Sequence, residues 1–483
     1  MLDLCYRFFE YLNLQKIRYC HWKSNSHLNE ALNGKTDLDI LVHRDDKEKF
    51  AKALETFPIK RIITPRMKRF PGLEDYLGFD EKTGCLIHLH VHYKLVLGQK
   101  FIKNHHLPIE EIIFHHLTKH NTLFLPCPEA ELLILTIRAH MKVGGVDLVK
   151  QLINDLINRP ATPFPRQIEE EFDNLIAHSD FRKMVNILRQ FKLPLPEKLF
   201  TDFITDFTKR ELRFSTIVKN MRQIFSSLQG FKRQNSMIVY VKYFCRYFST
   251  LPFIRKFFKE KIFTVTGTGK TFSIVGADGS GKSTLIEDLE KWLSWRLSVV
   301  TYYHGIPKTV LKNFIPFIIR QLKKIKLGVV SLLIEGLYMI YLAKRRYKIS
   351  LLSKKDNLTG KIVLTDRFPL KEFNRMPEPM DGPQLFKNTS IINRFFSKIE
   401  LSYYDKIMYP DRIFIMQADI NELRKRKDDL PFDYHKMKAD AVNTIKADTH
   451  HFLVDANRPY SDVLLDLKKN IWELIPPNAI TLK

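Results

Sequence analysis

The sequence predicts an α/β protein of more than one domain, whose C-terminal half forms a parallel sheet with helices on both faces. Strand-like and helical runs alternate from residue 262 to the end, which is typical of parallel sheets. A glycine-rich turn at residues 276–283 separates an apolar run from a helical run. The length of 483 residues exceeds what one ordinary hydrophobic core accommodates.

The texture of the chain changes three times, which predicts four segments. The first residues mix the strand-like runs DLDILV, RIITP and CLIHLHVHY with short helical ones, as in an α+β domain. The segments are this α+β domain at 1–125, its helical extension at 126–207, a basic, aromatic helical connector at 208–261, and the α/β domain at 262–483. In the last segment, FSIVGA, SVVTYYH, KIVLTD, DRIFIMQ and HFLVDA are predicted strands, and a final helix is expected near Tyr460.

The net charge and the cysteine content indicate which classes of partner and which cellular compartment to expect. A formal net charge of +25 favours anionic partners such as nucleic acid, nucleotides or a phospholipid surface, although the lysines could also be merely solvated. The connector interleaves aromatics with cations, so it could contact nucleic acid or an anionic membrane, or it could pack between the domains. Five scattered cysteines without paired short spacings favour a reducing, cytoplasmic setting.

Neither an export signal nor a membrane span is expected. The N-terminal run MLDLCYRFFEYLNLQ places acidic and polar residues where a signal peptide needs an apolar core. The most apolar run, from Leu327 to Ala343, is shorter than the roughly 20 residues of a span and carries Glu335 near its middle. We expect a helix in a protein core or interface there.

The glycine-rich turn has the spacing of a phosphate-binding loop. Gly276, Gly281, Lys282 and Ser283 satisfy G-x-x-x-x-G-K-[ST] between a predicted strand and a predicted helix. In such loops, backbone N–H groups surround a polyphosphate, the lysine reaches the β and γ phosphates, and the hydroxyl binds Mg²⁺. The predicted ATP-binding residues are Gly276, Gly279, Ser280, Gly281, Lys282, Ser283 and Thr284. The similar TGTGKT at Thr266–Thr271 lacks the first glycine and is interpreted as a β-hairpin turn.

A second motif, LTDRF, places Asp366 and Arg367 at the end of a predicted strand. Together with the phosphate loop, it makes residues 262–483 resemble the thymidylate kinase family. The resemblance implies that Asp366 orders Mg²⁺ and its water, that Arg367 binds the acceptor's phosphate, and that Asp278 faces the acceptor's sugar. It also implies a catalytic cation in the lid after YPDRIFIMQ. Arg424 and Arg426 lead the candidates there and Lys425 and Lys427 follow, unless RKRK is only a solvated helix face.

Two segments depart from this family, and both concern the acceptor. The family's Thr-Arg-Glu-Pro-Gly type segment is replaced by YYHGIPK, and its serine-rich helix by PLKEFNRMPEPMDGP. His304 could supply an acceptor contact in place of the missing residues, or it could be a strand-end histidine without a role.

The first domain contains a short acidic motif, Asp37-Leu-Asp39, on an apolar strand. Strand alternation places both carboxylates on one face, suited to sharing a divalent metal. The motif resembles the nucleotidyltransferase superfamily, which implies that Lys23 and Ser24 lie in a phosphate-contacting loop. The superfamily's third carboxylate is absent from the expected strand, where histidines alternate at His88, His90 and His92. They could bind a transition metal, line a polar cleft, or face solvent.

These patterns favour an enzyme that transfers phosphoryl from ATP, with Mg²⁺, to an acceptor resembling a nucleoside monophosphate. The first domain would bind a nucleotide or catalyse nucleotidyl transfer, with its own divalent metal. One alternative is a kinase for a sugar or glycan, because the family's base-holding residues are missing. Another is a nucleotide-sensing scaffold that binds nucleic acid or membrane with little catalysis.

Overall fold

The computed structural model describes residues 1–65, 69–99, 102–159, 161–250, 263–307, 311–370, 381–383, 390–427 and 431–476. The chain divides into two compact units, Met1–Lys261 and Ile262–Lys483. Three sequence features fall partly outside the described residues: the end of the connector at 251–261, Lys308 of YYHGIPK, and most of PLKEFNRMPEPMDGP.

The first unit combines a mixed sheet with many helices. Its strands are Tyr19–His21 (β1), Asp37–Val42 (β2), Ile59–Ile63 (β3), Leu73–Phe79 (β4), Leu86–His92 (β5), Val96–Gln99 (β6), Ile102–His106 (β7), Leu117–His120 (β8) and Leu123–Pro126 (β9). Its helices are Asp3–Leu14 (α1), Leu28–Leu32 (α2), Lys47–Glu55 (α3), Glu110–His115 (α4), Pro128–Lys142 (α5), Gly145–Leu156 (α6), Arg166–His178 (α7), Phe181–Gln190 (α8), Glu197–Thr208 (α9), Phe214–Ser227 (α10) and Ser236–Thr250 (α11).

The order of the main sheet places the acidic strand beside the histidine strand. Within this unit the order is β1-β2-β5-β4-β3. Strand β2 is parallel to β5, and β4 is antiparallel to it. Apolar side chains of β2 and β5 are buried with those of α1, which anchors the sheet. The polar residues that alternate with them therefore share the sheet's other face.

The helices that follow pack around α5 in a core of their own. Helix α5 is buried along nearly its whole length, and Phe172, Phe200 and Phe203 of the following helices belong to the same cluster. Ile217 and Ile224 of α10, in the segment predicted to be a connector, are also buried in this cluster. Burial of such large side chains contributes roughly 1.5–3 kcal/mol each. The residues before α11 are therefore held by the first unit's own core.

The second unit contains a five-stranded parallel sheet flanked by helices, which confirms the predicted parallel sheet. Its strands are Thr264–Val265 (β10), Thr271–Gly276 (β11), Val299–Tyr303 (β12), Ile362–Asp366 (β13), Arg412–Gln417 (β14) and His451–Asp455 (β15). Its helices are Lys282–Ser294 (α12), Leu311–Lys324 (α13), Gly328–Leu358 (α14), Ile391–Tyr404 (α15), Ile420–Arg426 (α16), Phe432–Asn443 (α17) and Tyr460–Leu474 (α18). The sheet order is β12-β13-β11-β14-β15. The fold is consistent with a P-loop architecture, because the glycine-rich turn joins central strand β11 to α12.

The prediction that residues 266–271 form a β-hairpin turn is wrong. Strand β11 is hydrogen-bonded on one edge to β13 and on the other to β14, so neither edge is left for β10. The Gly269 N–H instead donates to the Asn357 carbonyl at 2.7 Å. A Cβ on Gly269 would lie 1.7 Å from the Lys361 carbonyl oxygen, so this close approach of two backbones requires glycine.

The apolar run at 327–343 forms part of α14. This helix packs against α15, where a Cβ on Gly336 would lie 2.4 Å from the Phe396 ring. Val329 and Leu337 on the same helix are exposed. Among the described residues, no helix combines the length and the apolar character that crossing a membrane requires.

Candidate functional site

The phosphate loop lies at the carboxyl end of β11 and curls through two glycines in the left-handed region. Gly279 and Gly281 both have φ of +85°, and Gly281 caps the N-terminus of α12. A Cβ on Gly276 would lie 2.6 Å from the Ser280 hydroxyl, and one on Gly279 would lie 2.7 Å from the Leu423 carbonyl oxygen. Side chains at these positions would open the loop, so its sequence suits a tight cradle of backbone N–H groups.

Lys282 is folded inward over this loop. Its Nζ donates to the Ala277 carbonyl oxygen at 2.6 Å, and the side chain is buried. Burial, with the positive charge of Arg367, lowers the pKa of Lys282 to about 8. The neighbouring Ser283 and Thr284 are exposed at the start of α12.

Asp366 lies at the end of β13, where it is aligned with Ile274 of the adjacent β11. Its Oδ1 is buried without a hydrogen-bond partner among the described residues. Burial raises the pKa of this carboxyl, while Lys282 and a hydrogen bond from Ser283 act in the opposite direction. A carboxylate at the end of β13 and a hydroxyl at the start of α12 are oxygen ligands of the kind that Mg²⁺ prefers, so these residues fit that ion.

The guanidinium of Arg367 bridges two carboxylates, one of which belongs to the glycine-rich loop. Arg367 donates to Asp381 at 3.1 Å and to Asp278 at 3.3 Å. Its backbone has φ of +68°, which a non-glycine residue adopts at a cost of roughly 1–3 kcal/mol and which is concentrated at functional sites. Although burial acts to lower it, the charge of Asp381 and further partners raise the pKa of Arg367, so the guanidinium stays charged.

A second arginine, Arg346 of α14, also contacts Asp381. It donates to Asp381 at 3.2 Å and to the His304 carbonyl oxygen at 2.9 Å. The His304 ring is buried, with Nδ1 unpartnered among the described residues, and burial with the charge of Arg346 lowers its pKa to about 3. The structure thus buries His304 directly after β12 as a neutral ring, and its backbone N–H donates to the Asp366 carbonyl oxygen at 3.0 Å.

Two residues of α17 complete this site, and sequence reasoning missed both. Lys438 Nζ donates to Asp278 Oδ2 at 2.8 Å, and His435 Nε2 donates to the Asp278 carbonyl oxygen at 2.7 Å. Although burial acts to raise it, the hydrogen bond and charge of Lys438 lower the pKa of Asp278 to about 2. In the sequence, Lys438 is one of several cations on an amphipathic helix, so no local signal marks it.

Helix α16, which carries the residues predicted to form a lid, lies against the phosphate loop, since the Leu423 carbonyl closely approaches Gly279. The guanidinium of Arg424 lies over the Phe432 ring at 5.4 Å, and Arg426 donates to the Ala456 carbonyl oxygen at 3.0 Å. Lys425 forms an ion pair with Glu422. The structure therefore brings the RKRK segment to the site, with both arginines engaged on neighbouring elements.

In the first unit, the acidic and histidine strands form a second polar cluster. His88 donates to Asp37 at 2.8 Å and lies 3.1 Å from Asp75, which also lies 2.7 Å from His90. Asp75 belongs to β4, within the run LEDYLGF. The sequence did not single out this residue, and the one feature that could have marked it is an acidic residue within a strand-like run. Because His88 is buried, the expectation of a solvent-facing histidine strand does not hold for this residue.

Asp39, His92 and Lys23 lie next to this cluster. Lys23 Nζ forms an ion pair with Asp39 Oδ1 at 2.7 Å, and His92 Nε2 lies 3.5 Å from the same oxygen. His92 is buried, and burial lowers its pKa, so the ring is neutral. Ser24 has φ of +57°, and its N–H donates to Glu171 at 3.2 Å. The predicted residues Lys23, Asp37, Asp39, His88 and His90 are therefore linked by contacts on one side of the sheet.

Several cations surround this second cluster. Burial and the charge of Lys23 lower the pKa of Lys103 to about 8, although the charge of Asp39 acts to raise it. Lys142 is open to water, yet desolvation by the protein around it and the charges of Arg138 and Lys23 lower its pKa to about 8 as well. These cations are close enough to influence one another's pKa, and they place positive charge near the Asp-His cluster.

No protein-family model matches this chain, and neither does any curated protein sequence. Among solved structures, the chain is similar to thymidylate kinase from Candida albicans, with 18% identity over 43% of this chain and 91% of that chain. The TM-score is 0.30. Such a likeness carries no argument about activity, so the chemistry inferred for this protein rests on its own side chains.

Proposed function

We propose that the second unit transfers the γ-phosphoryl group of ATP, with Mg²⁺, to a phosphorylated acceptor resembling a nucleoside monophosphate. One observation carries the proposal: the loop holding Lys282 and the group formed by Asp278, Arg367 and Lys438 are joined through Asp278, which belongs to the loop itself. A donor phosphate cradled by the loop and an acceptor held by these cations would meet there. Phosphoryl transfer depends mainly on such positioning and on charge neutralisation.

The residues divide this work between donor and acceptor. The loop and Lys282 bind the donor's phosphates, while Asp366 and Ser283 would hold Mg²⁺, which supplies charge neutralisation on the phosphate oxygens. Arg367 offers a planar fork that matches an acceptor phosphate. Asp278, held ionised by Lys438, can accept a hydrogen bond from an acceptor hydroxyl. Arg424 and Arg426 of the lid are proposed to reach the transferring phosphoryl after releasing their present contacts.

The acceptor class can be tested directly with γ-labelled ATP. The full-length chain is incubated with Mg²⁺ and a panel of nucleoside monophosphates, nucleosides and sugars. We expect label on one or more monophosphates, and transfer to the matching nucleoside at least about thirtyfold slower, because a nucleoside lacks the phosphate that would form charged hydrogen bonds with Arg367, worth roughly 1.5–3 kcal/mol. A reaction without Mg²⁺ serves as the control.

The alternatives predict different outcomes of the same experiment. Label on a sugar, with none on any monophosphate, would replace the proposed acceptor by a sugar or glycan. Binding of Mg²⁺·ATP without transfer to any acceptor would instead favour a nucleotide-sensing scaffold. The proposal fails in either case.

A second proposal concerns the first unit, which we infer to bind a nucleotide and to act with the kinase, as a nucleotidyltransferase-like domain would. Lys23, Lys103, Arg138 and Lys142 form a group of cations that influence one another's pKa, and such a group favours a ligand with several negative charges. In a Lys282→Met background, which weakens the second unit's site, we expect residual ATP binding by equilibrium dialysis. Adding Lys23→Met should weaken it about tenfold or more, since charged hydrogen bonds contribute roughly 1.5–3 kcal/mol.

The matched control for this experiment is Lys119→Met, an exposed lysine on β8 of the same unit. It removes the same charge from the chain at a different place, so it should leave ATP binding unchanged. Equal losses in the two variants would indicate a nonspecific charge effect and contradict a nucleotide site at this group of cations.

A further inference from the structure

Three side chains from two adjacent strands converge in the first unit, independently of the kinase proposal. Asp75 of β4 is paired in register with His90 of β5, and Leu77 with His88, so the three polar side chains share one face. One ligand atom from each of Asp75, His88 and His90 lies within 4.8 Å of the others. Their spacing is set by the sheet itself, which is more rigid than a loop.

The contacts among these three groups centre on one carboxylate oxygen. Asp75 Oδ1 lies 3.1 Å from His88 Nε2 and 2.7 Å from His90 Nδ1. Metal bonds to carboxylate oxygen and imidazole nitrogen are roughly 2.0–2.2 Å long. Ligand atoms around one tetrahedral ion are therefore about 3.3 Å apart. The cluster already has nearly this spacing, so an ion could enter with small side-chain movements.

A second layer of contacts orients these groups. His88 donates from Nδ1 to Asp37 at 2.8 Å, which leaves Nε2 as the nitrogen directed at Asp75. Thr64 donates to Oδ2 of Asp75. The series carboxylate, histidine, metal is the usual arrangement around protein-bound metals, in which the outer carboxylate fixes the tautomer of the ligating imidazole. Asp37 has this outer position here.

We propose that Asp75, His88 and His90 bind one divalent transition metal ion of the Zn²⁺, Mn²⁺, Co²⁺ or Fe²⁺ class. Two imidazoles and one carboxylate favour these ions, whereas Mg²⁺ and Ca²⁺ prefer oxygen ligands alone. Three protein ligands leave a coordination position open, as in catalytic rather than structural sites. The open position would accept water or an oxygen of a ligand bound by the neighbouring cations.

A neighbouring group of donors, Asp39, His90 and His92, also lies within 4.8 Å of one another. In this group, Asp39 Oδ1 forms an ion pair with the Lys23 ammonium at 2.7 Å. The positive charge of Lys23 therefore already lies close to the position that a metal ion would occupy. Both nitrogens of the buried His92 lack hydrogen bonds among the described residues. The Lys23 ion pair nevertheless favours Asp75 over Asp39 as the carboxylate ligand, because it occupies the Asp39 oxygen with a positive charge.

The test is metal binding by the full-length chain after treatment with a chelator. Co²⁺ is titrated while its visible absorption is recorded, and bound Zn²⁺ is measured by equilibrium dialysis and mass spectrometry. We expect about one ion per chain, a Co²⁺ spectrum of low coordination number, and no displacement of Zn²⁺ by a large excess of Mg²⁺. Thermal unfolding with Zn²⁺ should show a higher transition temperature than without it.

Variants distinguish this site from adventitious binding. His88→Ala and His90→Ala should each abolish the Co²⁺ spectrum, and Asp37→Ala should weaken affinity by roughly 10–100-fold without abolishing it. His120→Ala, an exposed histidine of β8, is the matched control and should bind as the parent does. Asp75→Asn preserves the size of the side chain and replaces the histidine variants if these fail to fold.

Two results would overturn the proposal. One is a His88→Ala or Asp75→Asn chain that is folded by circular dichroism and retains the parent's Zn²⁺ stoichiometry. The other is equal loss of binding in His120→Ala. Because the readout is metal content and absorption, a failure of phosphoryl transfer would leave this result unaffected.

Discussion

Replacing Lys282 with methionine is expected to reduce phosphoryl transfer by roughly 10²–10³-fold, or about 2.7–4 kcal/mol, because one preorganised charge on the phosphates is lost. Methionine has a similar length and fills the same buried space. The variant loses one hydrogen bond to the Ala277 carbonyl and also relieves the burial of an ammonium group. Its unfolding temperature should therefore lie within a few degrees of the parent's, so the lost activity would reflect chemistry.

The pH dependence of ATP binding gives this prediction a second readout. The pKa of Lys282 is about 8, and the ammonium form is the one that attracts phosphate. As the pH rises from 7 to 9 the free protein loses this proton, so Mg²⁺·ATP affinity should fall by about tenfold. The Lys282→Met variant should lack this component. Undiminished ATP binding by the variant, or a flat pH profile in the parent, would contradict the assigned role.

Arg367→Lys is expected to reduce transfer by a similar factor, roughly 10²–10³-fold, while Mg²⁺·ATP binding stays within about twofold of the parent's. Arg367 contacts Asp278 and Asp381 through two different nitrogens of one planar fork. Lysine keeps the charge but presents a single ammonium, so it cannot bridge both carboxylates and bind an acceptor phosphate in the same geometry. The loss should appear as a higher KM for the acceptor and a lower kcat.

The matched control for Arg367→Lys is Arg320→Lys, an exposed arginine on α13 of the same unit. It makes the same chemical change at a place that contacts none of the proposed site residues by a recorded hydrogen bond, and it should leave transfer unchanged. If Arg367→Lys lost ATP affinity in parallel with activity, the residue would belong to the donor site, and its assignment to the acceptor would be wrong.

The local features of this protein were predictable because each is encoded in a short run of sequence. Strands β11 to β15 are apolar runs with clear ends, and alternation with helices makes a parallel arrangement the favoured one. Gly279 and Gly281 were predictable because few other residues adopt a positive φ there at no cost. Asp366 and Arg367 lie at the end of a predicted strand, so their location at the carboxyl end of the sheet could be predicted without the tertiary structure.

Partners that are distant in sequence could only come from the tertiary structure. Asp381, Lys438 and Asp75 each resemble ordinary surface charges in the sequence. Helix packing brings Lys438 to Asp278, 160 positions away, and strand register brings Asp75 to His90. The hairpin expected at 266–271 was wrong for the same reason, because the neighbours of β11 come from distant parts of the chain.

The sequence by itself therefore determined the parallel sheet, the glycine-rich loop and the identity of its lysine, since backbone preference and apolar periodicity act over a few residues. Only the tertiary structure decided which charges surround Asp278 and which donors meet at Asp75. Those contacts depend on sheet order and helix packing, whose free energy is summed over the whole unit and is not carried by any single motif.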